Sequence, residues 1–158
     1  MTSVSRFGLC LFLVFTLAAC SNDDELTKEQ VLKKSIADLE SRFEARSLSQ
    51  ISEYVAEDYQ DEQGRKLRDI KRIIQMQLMR HKSLHVFSTI NSISWQDDNH
   101  ATVEITAAMA GKPIKSASVL TSIRADMVKF TVQFVRHQDK FKVQSAKWRW
   151  AEATDFLQ

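Results

Sequence analysis

A chain of 158 residues is long enough for one domain with a substantial core, and it carries 22 Lys and Arg against 20 Asp and Glu, a formal charge of +2. So even a balance argues against nucleic acid as a partner and against a strongly basic membrane-binding surface. Three Gly and one Pro leave no room for low-complexity arms, and there is no internal repeat.

Arg6 precedes the apolar run Phe7 to Thr16, and Leu17-Ala18-Ala19-Cys20 follows it. The run is too short for a comfortable membrane span and has the length of a signal-peptide hydrophobic region. Leu17-Ala18-Ala19-Cys20 resembles the lipobox of bacterial lipoproteins. The resemblance implies a signal peptide over 1–19, cleavage between Ala19 and Cys20, and acylation of Cys20. The implied location is the cell envelope. Ser21 after the cysteine favours the outer membrane, facing the periplasm, in the lipoproteins this stretch is similar to. Cleavage would remove Arg6 and no acid. It would also remove Cys10, leaving Cys20 as the remaining thiol of the two in the chain. No disulfide and no cysteine metal site is then expected, and burial must hold the domain together.

Residues 20–26 read as a lipidated cysteine and a polar tether through Asn22, Asp23, Asp24 and Glu25. The domain is expected over 27–153, with a tail at 154–158. Thr27 followed by Gln30 is a capping box that opens a first helix. Leu32, Ile36, Leu39 and Phe43 fall on one helical face, with Lys33, Lys34, Asp38, Glu40 and Arg42 on the other side. Ser47 with Gln50 repeats the capping pattern before a shorter helix through Leu48, Ile51 and Val55. Tyr54 to Gly64 reads as a helix end, a brief extended piece and a turn. The helical period returns from Arg68 or Asp69 through Ile70, Ile73, Ile74 and Leu78, and Arg80, His81 and Lys82 close that helix.

From Leu84 the period becomes two. Leu84, Val86, Ser88 and Ile90 form one face of a strand running on to Trp95, and His85, Phe87, Thr89 and Asn91 form the other. Gln96 to Asn99 is a turn. Alternation then predicts strands over Ala101–Met109, Ala117–Ala125 and Val128–Phe134, with a turn at His137–Lys140. In the last strand Phe141 and Val143 set one phase, and Ala146, Trp148 and Trp150 the opposite one. A β-bulge near Gln144–Ser145 reconciles them and bends the sheet.

Helices followed by antiparallel strands make an α+β order. Tyr54-Val55-Ala56-Glu57-Asp58-Tyr59, then Gly64, then Arg68-Asp69-Ile70, with Lys147-Trp148-Arg149-Trp150 at the end, resembles the nuclear-transport-factor-2-like superfamily, which includes SnoaL-like proteins and ketosteroid isomerases. The resemblance implies N-terminal helices packed in a strongly curved antiparallel sheet, a cone with a pocket, also called cystatin-like. It implies a homodimer through a sheet face as one option. Ketosteroid isomerases use a carboxylate after the second helix, which falls near Asp61 or Glu62. Their oxyanion donors fall near Leu39 and Val132, which cannot donate, so that machinery is missing here.

Tyr54, Asp58, Tyr59, Asp61, Trp95, Arg124, Trp148 and Trp150 are the candidates for lining a pocket, since amphipathic rings with a charged group suit a small molecule. His81 and His85 have metal-like spacing, but a helix end between them separates their faces, so no metal and no cofactor is expected. The leading expectation is a membrane-anchored, non-catalytic module that binds a small ligand or an envelope protein. Two alternatives stand beside it. One is a SnoaL-like isomerase, cyclase or hydrolase using Asp61 or Glu62 as base. The other is an immunity or assembly factor acting by surface contact.

Overall fold

The computed structural model describes residues 26–156. The signal segment, Cys20 and the tether up to residue 25 lie outside the described residues. Within them, no helix is long and apolar enough to cross a membrane.

Helix α1 spans Lys28–Glu44 and is opened by the expected capping box: Gln30 N–H donates to Thr27 Oγ1 at 3.2 Å and Thr27 N–H to Gln30 Oε1 at 2.8 Å. It ends in a Schellman turn. Arg46 adopts φ 56°, Arg46 N–H donates to Phe43 O, and Ser47 N–H to Arg42 O. The left-handed cost of a non-glycine residue is offset by the Arg46 guanidinium, which donates to Leu78 O at 2.7 Å and Lys82 O at 2.8 Å. Arg46 thus helps to close α1 with its backbone and caps the end of α3 with its side chain.

Helix α2, Leu48–Ser52, follows at once. The cap expected of Ser47 does not form: its hydroxyl lies 3.4 Å from Ser49 Oγ and makes no bond to the helix backbone. Ser47 is extended and its carbonyl accepts Ile51 N–H at 2.9 Å, so the backbone alone opens α2. Gly64 sits at φ 73°, where the chain turns back toward α3, Leu67–Arg80.

Strands β1 (His85–Trp95), β2 (His100–Ala110), β3 (Asp126–His137) and β4 (Lys140–Trp150) form one antiparallel sheet in chain order. The expected strand at Ala117–Ala125 is absent. Ala117–Val119 is a 3-10 turn, and Thr121 and Ser122 hydroxyls donate to the carbonyls of Ser118 and Val119. Such local bonds compete with a ladder. β2 pairs directly with β3, so the loop between them does not enter the sheet at that place. It folds over the outer face of the sheet instead, where Leu120 packs with Ala108 and Phe156. Ala153–Phe156 forms a 3-10 turn, and the Phe156 ring stands 5.9 Å from that of Phe87.

Two bulges curve the sheet. Asn91 is the extra residue in β1, and Gln144 is the extra residue in β4, at the position the phase reversal marks. The Gln144 bulge carries Trp148 and Trp150 onto the inner face. Beyond it, the outer edge of β4 is covered by the 54–60 segment: Val143 N–H donates to Tyr54 O at 2.7 Å, Ala56 N–H to Val143 O at 2.9 Å and Gln60 N–H to Gln144 O at 3.2 Å.

Registers across the four strands place inward residues in rows. At one end Trp95, Ala101, Phe134 and Val143 align, and next to them Ile93, Val103, Val132 and Ala146. These rows pack on Val31, Leu32 and Ile36 of α1 with fully buried Phe141. Buried Ser35 stitches helix to sheet by accepting Phe141 N–H at 2.9 Å while donating to Val31 O. A second cluster joins Ile51, Leu78 and Leu84.

Candidate functional site: the open end of the cone

Toward the other end the inward rows read Ile90, Ile105, Phe130 and Trp148, then Ser88, Ala107, Val128 and Trp150. Ser88 and Ala107 are small. The α3 residues facing them, Ile70, Ile73 and Ile74, are only half-buried. The space between holds a cavity of about 380 Å³, floored by Ile36, Leu39 and Phe43 of α1. Its volume is in the range of small-molecule sites. Trp148 and Trp150, 50% and 64% exposed and edge-to-face at 5.6 Å, stand at its mouth.

The walls are mostly apolar, and the polar groups are few. Glu40 of α1 accepts a hydrogen bond from the Ser88 hydroxyl. Burial pushes the Glu40 carboxyl above the usual glutamate value and the negative Glu44 adds to that, while the Ser88 bond opposes it. Glu44 accepts Val86 N–H at 2.8 Å and lies 4.0 Å from His85 Nδ1. His81, at the end of α3, turns its Nε2 toward Asp126 at 3.6 Å. This buried nitrogen has no hydrogen-bond partner among the described residues. His81 and His85 thus face different carboxylates and share no site.

Of the sequence candidates, Tyr59, Trp148 and Trp150 line this cavity. The others are elsewhere. Tyr54 donates from its phenol to Asp38 at 3.2 Å and lies under Lys140 Nζ. Asp58 is exposed and accepts from Gln144 at 3.4 Å. Trp95 packs edge-on against Phe141 at the closed end, with Lys28 over its ring. Arg124 is exposed in the loop after the 3-10 turn.

Asp61 is buried but fully committed. Its carboxylate accepts Gln63 N–H at 2.9 Å, Arg65 N–H at 3.0 Å, Arg65 Nε at 2.6 Å and the Tyr59 phenol at 3.4 Å. Burial acts to raise its pKa, but the bonds from the Arg65 side chain and backbone and from Gln63 outweigh it and hold Asp61 below the usual aspartate value. It organises the turn around Gly64. Glu62 has a side chain 74% exposed, 3.4 Å from Lys147. Both lie along an outer groove of about 430 Å³ whose cations are already paired: Arg65 with Asp61, Lys129 with Glu104, Lys147 with Glu62, and Arg149 with Asp155.

Glu40, Ser88, His81 and Asp126 were not identified as lining a cavity from sequence. A signal existed for two of them. Glu40 follows Ile36 by four residues and precedes Phe43 by three, at the margin of the apolar stripe. Ser88 is the polar residue in the phase of Leu84, Val86 and Ile90.

No family model matches the chain, and no curated protein matches it in sequence. Solved structures do match. A Novosphingobium aromaticivorans protein assigned as a scytalone dehydratase aligns with TM-score 0.62 at 10% identity, over 79% of this chain and 85% of its own. A Streptomyces avermitilis protein of the nuclear-transport-factor-2-like family, assigned as a dehydratase, aligns with TM-score 0.62 at 14% identity, over 79% and 97%. A Nostoc punctiforme protein of unknown function with a cystatin-like fold gives 0.60 at 12%, over 80% and 95%. Together with the curled four-stranded sheet and its enclosed helix, these likenesses define the chain as an α+β domain of nuclear-transport-factor-2-like, cystatin-like fold.

Proposed function

We propose that this domain is a small-molecule-binding module held at the bacterial envelope by a lipidated Cys20, with Ser21 directing it to the outer membrane and the domain facing the periplasm. The observation that carries the binding reading is the cavity of about 380 Å³ at the open end of the cone, with apolar walls, few polar groups and two tryptophans at its mouth. The anchor rests on Leu17-Ala18-Ala19-Cys20.

A catalytic role for Asp61 or Glu62 draws no support from geometry. Asp61 is an occupied acceptor with a lowered pKa, which makes it a weak base, and Glu62 stands in solvent. Neither lines the cavity.

Native mass spectrometry of residues 21–158, purified without detergent, tests the binding reading. A co-purifying mass of one small molecule per domain is the expected result. An empty protein that also takes up no apolar probe refutes it. For the anchor, Cys20→Ala is expected to move the protein out of the acylated fraction, read by mass of the mature chain. An unacylated wild-type N-terminus removes that half of the proposal.

A further inference from the structure

The cavity has one polar wall, where α1 meets β1. Glu40 lies one turn after Ile36, which packs into the core, and therefore cannot turn away to solvent freely. Ser88 belongs to the inward row with Ala107, Val128 and Trp150. The Ser88 hydroxyl donates to Glu40 Oε1. That fixes the carboxyl on the wall and leaves Oε2 available to whatever enters.

A structural role would supply Glu40 with a cation, and none lies within ion-pair distance among the described residues. The basic side chains nearby face other carboxylates: Arg65 faces Asp61, His81 faces Asp126, and His85 faces Glu44. Burial and the neighbouring Glu44 both favour the protonated carboxyl. A protonated carboxyl held by Ser88 at one oxygen is a hydrogen-bond donor at the other. The other ionisable groups lining the cavity are Arg65, paired with Asp61, the exposed Arg80, and His81, which faces Asp126.

We propose that Glu40, held by Ser88, is the polar anchor of the cone, and that the ligand is a neutral, largely apolar molecule whose carbonyl or ether oxygen accepts a hydrogen bond from the Glu40 carboxyl. This rests on the reading of the cone as a ligand site and adds the chemical class. Trp148 and Trp150 at the mouth and the isoleucines of α3 contact the apolar body, and Glu40 sets its orientation.

The test uses four probes on one scaffold: benzophenone with a carbonyl, diphenylmethane with a methylene in its place, diphenylmethanamine as the cation and diphenylacetate as the anion. Binding to residues 21–158 is measured by calorimetry, with protein titrated into probe at mildly acidic pH. Benzophenone is expected to bind about tenfold tighter than diphenylmethane, the worth of one hydrogen bond in an apolar site. The preference is expected to vanish in Glu40→Leu. It is expected to persist in Glu40→Gln, whose amide still donates, and to weaken as pH rises in the wild type but not in that variant. Equal binding of ketone and hydrocarbon by the wild type, or an unchanged preference in Glu40→Leu, overturns the anchor and leaves the cone reading standing. Tightest binding by the amine or by the carboxylate overturns it in favour of a charged ligand. Binding of none of the four by folded protein removes both readings.

Discussion

Replacing Asp61 with Ala removes the acceptor around which the 59–65 turn is built. Four donors lose their partner, and the Asp61 side chain is only 2% exposed, so water cannot take its place without rearrangement. Breaking one half of a buried pair costs about 3–5 kcal/mol. Arg65 keeps a quarter of its side chain in solvent and can be partly rehydrated, which places this case near about 3 kcal/mol. For a domain of about 130 residues, roughly 3–4 °C of Tm per kcal/mol gives a fall of about 10 °C. The pH dependence has a fixed sign. Asp61 is held below its ordinary value of 3.8 in the folded protein, so its contribution is complete above that value and is lost as pH falls through the lower folded one. The gap in Tm between wild type and Asp61→Ala is therefore widest at neutral pH and narrows in acid. Thermal unfolding followed by circular dichroism across that range measures it. A neutral-pH gap under about 2 °C, or a gap that stays constant into acid, would refute the account of Asp61 as the organiser of this turn.

Ser35→Ala leaves Phe141 N–H without a partner inside the core and is expected to cost about 1–3 kcal/mol, read from denaturant midpoints with unchanged slope. Glu40→Gln is expected to raise Tm at neutral pH. The folded Glu40 resists ionisation, so the wild type loses stability as pH rises from its ordinary value of 4.5 through the raised folded one, and the glutamine does not. A variant with the same pH profile as the wild type counts against a buried carboxyl. Gly64→Ala is expected to cost about 1 kcal/mol through backbone strain alone, since the φ of 73° is left-handed and nothing lies within 4 Å of the added methyl; calorimetric Tm reports it.

The local architecture was legible in the residues because it depends on local physics. Thr27 and Gln30 mark a helix start because both bonds of the box span three residues. The opposite phases of Val143 and Ala146 require an extra residue between them, since one core can bury only one face, and Gln144 is that residue. Alternation failed at Ala117–Ala125. A period of two reports that a segment could lie on a sheet, but a partner strand is a matter of topology, and β2 and β3 had already paired. The aromatic candidates divided for a related reason. Trp95 and Trp148 both lie on the inner face, but the sheet curves, so one is core at the closed end and the other rim at the open end.

The chain by itself determined the class of fold: helices with one apolar stripe, strands of period two and a bulged last strand admit few arrangements besides a helix inside a curved sheet. The site was decided by the tertiary structure. Glu40 stands at the margin of the apolar stripe on a helical wheel, and a wheel, which knows only its own helix, does not say on which side of that margin burial falls. It becomes a wall of the cavity because the curvature at Asn91 and Gln144 brings Ser88 against it, and hydrogen-bond partners 48 residues apart are set by that curvature and not by any local pattern.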